Sequence, residues 1–186
     1  MWKHQFKSTY IILVIASISS LALSAPAEDL VPVLKDMATF NTFQLYSGYL
    51  PIGTTTKSLH YIFVQSQSKP TTDPVIVWFN GGPGCSSVLG FAQEHGPFVM
   101  EDGTTTFVEN DYSWNKEANM LYIESPAGVG YSMCEGNDCR FNDDTSADDN
   151  LAAILYFFNT KFPEYQSNDL YISGESYAGI YVPYVS

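Results

Sequence analysis

Hydrophobic and polar positions divide the chain into short apolar runs punctuated by Pro, Gly and Asn. Residues 43–50 (FQLYSGYL) and 59–65 (LHYIFVQ) have strand-like composition and are separated by Pro51, Ile52, Gly53 and three threonines, which predicts an N-terminal β-hairpin. Residues 74–79 (PVIVWF) and 120–124 (MLYIE) are apolar, β-branched and aromatic runs ending in Pro/Gly turns, the pattern of strands buried on both faces. A last strand is predicted over 170–173, running into Gly174. Between them, 86–93 reads as a short helix, followed by a loop rich in Gly, Thr and acidic residues. Residues 145–162 read as an amphipathic helix with Leu151, Ile154, Leu155 and Phe158 as its apolar positions, Thr145 as its cap and Asp148 three residues on. Strands alternating with helices predict an α/β fold with a mainly parallel sheet.

The N-terminus has a different pattern. Lys3 and Lys7 precede an apolar run over 10–23, and small residues follow at Ala22, Ser24, Ala25 and Ala27. This is the layout of a secretory signal peptide over 1–24, cut after Ser24 or after Ala27. An uncleaved anchor usually needs about 20 apolar residues, so no stable membrane span is expected after cleavage. Of the 186 residues, 45% are hydrophobic, a globular composition, and 20 acidic side chains face 8 basic ones, a net charge of -12. Loss of Lys3 and Lys7 would take the mature chain to -14. Such a chain cannot assemble the basic face that nucleic acid requires. No Asn-x-Ser/Thr acceptor for N-glycosylation occurs.

Export bears on the three cysteines. Cys134 and Cys139 enclose a turn-like Glu-Gly-Asn-Asp stretch and can close a local disulfide in an oxidising compartment; two free thiols in a loop are the alternative. Cys85 is left without a partner. The acidic cluster Asp143, Asp144, Asp148 and Asp149 lacks the ligand spacing and central glycine of a calcium loop, and reads as a solvated helix start. No metal and no cofactor are expected.

Two stretches carry chemistry. Gly174-Glu175-Ser176-Tyr177-Ala178-Gly179 is a Gly-x-Ser-x-small sequence after a strand, the requirement of a nucleophile elbow, where crowded neighbours must be small. An ordinary turn is the competing reading. Asn80 to Ser87 (NGGPGCSS) lies at the carboxyl end of a buried strand, where α/β sheets present ligands, and its glycines would let backbone N–H groups approach an oxyanion. A phosphate loop is excluded because the Lys-Ser/Thr ending is missing.

The segments 78–87 (WFNGGPGCSS), 122–131 (YIESPAGVGY) and 174–183 (GESYAGIYVP) together resemble the serine carboxypeptidase family of the α/β-hydrolase fold, the group that includes cathepsin A and carboxypeptidase Y. The resemblance runs from about residue 45 to residue 186. It implies an N-terminal portion of that fold with an incomplete sheet, Ser176 as nucleophile, and an oxyanion hole from the N–H groups of Gly82 and Tyr177. It also implies that Asn80, Glu94 and Glu175, with Trp78 beside them, hold the free carboxylate of a peptide or protein C-terminus. Without the resemblance, Glu94 would read as a solvated charge and Trp78 as core. Two glutamates facing a substrate carboxylate require at least one proton among them, so a mildly acidic optimum is expected. His95 reads as a pocket-rim or surface residue and not a base. The resemblance further implies that Cys85 bridges to a later cysteine.

In this fold an Asp and a His follow the serine in sequence, yet residues 177–186 contain neither. The expectation is therefore a chain truncated after the elbow and inactive alone. A carboxypeptidase-like acyltransferase and a non-catalytic binding product are the alternatives, and the three carboxylate-binding side chains favour the peptidase. A lysosome-like vacuole and the extracellular medium both remain open as destinations, as does oligomeric state.

Overall fold

The computed structural model describes residues 25–32, 42–100, 103 and 106–186. The predicted signal peptide over 1–24 lies outside the described residues. Five strands form one sheet: β1 (Leu45–Pro51), β2 (Ser58–Val64), β3 (Val75–Phe79), β6 (Asn119–Ile123) and β7 (Leu170–Gly174), in the order β1-β2-β6-β3-β7. The predicted hairpin is β1 paired antiparallel with β2, and β2 continues antiparallel onto β6. β6, β3 and β7 are mutually parallel, so the mixed sheet becomes parallel at the edge that carries the two chemistry-bearing turns. That arrangement is consistent with the incomplete α/β-hydrolase sheet expected from the sequence.

Period-two alternation divides each central strand between two cores. Val75, Val77 and Phe79 of β3, Leu121 and Ile123 of β6, and Leu59, Tyr61 and Phe63 of β2 point to one side. There they pack under α1 (Asp143–Tyr156) and α2 (Ala178–Val185). Phe63 is surrounded by Phe157, Phe162 and Tyr165 with ring centroids 5.0, 4.8 and 5.2 Å away. Trp78, Met120 and Tyr122 point to the opposite side and meet Phe91 and Phe98. Because β6 is covered on both faces, all five of its residues are buried.

Several local expectations are corrected. The cap of α1 is Asn142, whose side chain accepts from the Thr145 amide at 2.9 Å while the Thr145 hydroxyl accepts from the Asn142 amide at 2.9 Å. Thr145 is thus the reciprocal member of a capping box, which the Thr-based reading had shifted by three residues. The predicted 145–162 helix changes winding at Phe157–Lys161, a π-helical turn, before ending at Phe162. The predicted 86–93 helix begins later and is π-helical over Gly90–Glu94. The supposed loop beyond it contains an antiparallel pair, β4 (Phe98–Met100) with β5 (Phe107–Glu109). Three-residue strands are too short to register as a periodic pattern. The acidic cluster is only partly solvated: Asp149 is buried and pairs with the buried Lys57 at 2.7 Å.

Cys134 and Cys139 are joined as a disulfide, and Cys85 is free and exposed. Among the described residues no helix is long and apolar enough to cross a membrane.

Candidate active site

The turn between β7 and α2 holds a non-glycine residue in the left-handed region of backbone space. Ser176 has φ 54°, and it is the one non-glycine residue with positive φ among the described residues. An L-residue pays sterically for that conformation, and it persists only where the surroundings enforce it. They do so by crowding. A Cβ on Gly174 would lie 2.5 Å from both the Phe79 carbonyl oxygen and the Ala178 Cβ. A Cβ on Gly81 would lie 2.6 Å from the Tyr177 nitrogen and 2.9 Å from the Ser176 Cβ. The elbow and the glycine turn after β3 therefore touch backbone to backbone. Parallel pairing of β3 with β7, in which Phe79 stands opposite Gly174, brings both turns to the same end of the sheet.

Gly82, with φ 109°, follows Gly81 in this turn and packs against Cys85, and Tyr177, at the start of α2, lies against Gly81. The Tyr177 hydroxyl donates to the Asp143 carboxylate at 3.0 Å, fastening the elbow to the first turn of α1. That hydrogen bond, with burial and the carboxylate charge, holds the phenol above its usual pKa.

The side chain of Asn80 organises the neighbouring polar group. Its Oδ1 accepts from Trp78 Nε1 at 2.9 Å and from the Gly90 amide at 3.1 Å. This leaves both Nδ2 hydrogens for carboxylates: Glu94 Oε1 at 3.1 Å and Glu175 Oε1 at 3.0 Å. Asn80 is only 2% exposed, whereas both glutamates are exposed, so a rigid buried amide presents two carboxylates to solvent next to Ser176. The structure thus brings together Trp78, Asn80, Glu94 and Glu175 through hydrogen bonds, and Gly81, Ser176 and Tyr177 through the turn contact.

His95 is buried, not at a rim or surface. Its ring stacks on Trp114 at 4.3 Å, stands edge-on to Trp78 at 4.3 Å, and bonds the Tyr122 hydroxyl through Nδ1 at 3.1 Å. Burial pushes its pKa down to about 4. The other described histidine, His60, is engaged with Ser47 and Glu124. Among the described residues no side chain hydrogen-bonds the Ser176 hydroxyl, and no group of three or more His, Cys, Asp or Glu could hold a metal ion.

Sequence reasoning passed over three contributors. Ser87 Oγ accepts from the backbone N–H of Asn80 at 3.1 Å and donates to the Ile123 carbonyl at 2.6 Å, setting the level at which β3 ends. Gly81 permits the turn contact, and a Cβ on Gly90 would meet Trp78 Nε1 and Asn80 Oδ1. The glycines were visible in the sequence, but what they had to avoid was not.

Residues 33–186 match the family model described as serine carboxypeptidase. The lysosomal protective protein of Mus musculus is 46% identical over 176 residues, covering 95% of this chain and 37% of that protein. Serine carboxypeptidase ctsa-4.1 of Caenorhabditis elegans is 46% identical over 173 residues, covering 93% of this chain and 36% of the relative. The chain therefore spans little more than a third of the length of these relatives. Among solved structures, a prohormone-processing carboxypeptidase of Saccharomyces cerevisiae superposes with a TM-score of 0.76 at 25% identity, over 88% of this chain and 38% of that one.

Proposed function

Since this chain belongs to the serine carboxypeptidase family, we propose that it forms the nucleophile-bearing and carboxylate-binding part of an enzyme that removes C-terminal residues from peptides. The observation that carries this reading is the buried Asn80 amide bridging Glu94 and Glu175 beside the strained Ser176. A general hydrolase has no need of a carboxylate site one residue from its nucleophile.

In this reading Ser176 Oγ attacks the carbonyl carbon of the last peptide bond. The Gly82 and Tyr177 N–H groups donate to the oxygen as it gains charge. The C–N bond then breaks, the terminal residue leaves as its amine, and water hydrolyses the Ser176 ester. The hydroxyl proton goes to a base, and among the described residues His60 and His95 are both committed elsewhere. In this reading the substrate carboxylate lies against two other carboxylates, and such a contact is accepted more readily at acidic pH. A leader over 1–24 would deliver the protein to the secretory pathway; a lysosomal or vacuolar destination suits an acidic optimum and the name of the mouse relative.

The test is release of the terminal residue from free-acid peptides by the full-length protein, with Ser176→Ala abolishing it. Transfer of an acyl group to an alcohol in preference to water would favour the acyltransferase instead.

A further inference from the structure

Below the glycine turn lies a second polar cluster that the proposed chemistry does not use. Glu124, at the end of β6, is 1% exposed, and its carboxylate ties three segments together. Oε2 meets His60 Nδ1 of β2 at 2.9 Å and accepts from the Tyr131 amide at 2.8 Å. Oε1 accepts from the Ser86 hydroxyl. His60 Nε2 in turn meets Ser47 Oγ of β1 at 2.9 Å, and the rings of Tyr49 and Tyr131 flank the imidazole at 5.6 and 5.3 Å. The loop after β6 can close on the carboxylate only because residue 130 is glycine, with φ 55°; a Cβ there would collide with the Glu124 side chain. Although burial opposes ionisation, hydrogen bonds from His60, Ser86 and the Tyr131 amide outweigh it and hold the Glu124 pKa below the usual value.

The two serines that end the glycine turn are held by different partners. Ser87 is bonded to the backbone N–H of Asn80 and so fixes the main chain of the residue whose side chain carries the carboxylate clamp. Ser86 is bonded to Glu124 and follows Cys85, against whose nitrogen a Cβ on Gly82 would lie at 2.8 Å. We propose that Glu124, oriented by His60, is a positioning residue that fixes the Gly82 turn through Ser86, so that the clamp and the oxyanion donor are held by separate anchors. This rests on the reading of Ser176 and Gly82 given above. Loss of the Ser86 anchor then acts on the transition state, where donor placement matters, and loss of the Ser87 anchor acts on binding of the substrate carboxylate.

The test compares Ser86→Ala, Glu124→Gln and Ser87→Ala in the full-length protein, with thermal unfolding reporting integrity. Ser86→Ala and Glu124→Gln should lower kcat by about tenfold or more with KM within about twofold, and slow fluorophosphonate labelling in parallel. Ser87→Ala should chiefly raise KM for free-acid peptides, and Ser86→Thr should recover kcat. If Glu124→Gln fails to fold, Ser86→Ala decides alone. A folded Ser86→Ala variant with unchanged kcat, or with only KM altered, overturns the proposal. Undiminished turnover in Ser176→Ala would instead overturn the reading of the site itself.

Discussion

Asn80→Ala removes the one amide that serves both glutamates, and a hydrogen bond to a charged group contributes on the order of 1.5–3 kcal/mol. KM for free-acid peptides should therefore rise by about 10- to 100-fold while kcat changes little, and C-terminally amidated peptides should show no such loss. Equal losses on both substrates would remove the assignment of this group to carboxylate binding. His95 makes a separate prediction about stability. Its folded pKa lies near 4 against an ordinary 6.5 because burial disfavours the charged ring. As pH falls through 6.5 the unfolded chain takes up a proton that the folded ring refuses, so this residue lowers stability progressively down to about pH 4. Unfolding temperature should drop across that window, and His95→Phe should flatten the drop. At this scale Ser176 and Asn80 were legible from motif context, whereas the burial of His95 was not. One histidine beside a predicted solvated glutamate gives no sign that Trp78, Trp114 and Tyr122 will enclose it.

Helix α1 illustrates how far element boundaries depend on side-chain bonding. Asn142→Ala should cost about 1 kcal/mol, visible as a lowered midpoint in urea unfolding, while Asn142→Asp should be nearly neutral. Thr145→Ala should cost less, because it removes only the reciprocal bond of the box. Between elements, the contact of the glycine turn with the elbow is the sensitive point. Gly81→Ala forces a Cβ to within 2.6 Å of the Tyr177 nitrogen, so the turn and the elbow must separate. Displacement of about 1 Å at a reacting centre can cost about 100-fold, which a loss of fluorophosphonate labelling in the full-length protein would register. The strands of the main sheet were readable because each carries three or more apolar residues between turn signals. The β4–β5 pair and the π-helical turns were not, since their geometry follows from what they pack against.

Across the whole molecule, distant segments are fastened at a few polar points. Asp29 accepts from the Tyr61 hydroxyl at 2.7 Å and from Lys161 at 2.6 Å, joining the segment before β1 to β2 and to the end of the long helix. Asp29→Ala should destabilise the fold by about 1.5–3 kcal/mol in chemical unfolding, because it strands a largely buried Lys161 as well as a phenol. β7 lies at the parallel edge of the sheet with Leu170 and Tyr171 exposed, so the elbow strand is covered less than β3 or β6. By itself the sequence determined the strands of the main sheet, the long helix and the family resemblance, and it singled out Ser176 as the candidate nucleophile. Those depend on local periodicity and on short contiguous motifs, which one dimension records. Only the tertiary structure decided that Asn80 faces two glutamates, that Gly81 meets the Ser176 turn, and that Glu124 anchors Ser86. Those contacts join residues up to 95 positions apart in sequence, and strand order and register, not neighbouring residues, bring them within bonding distance.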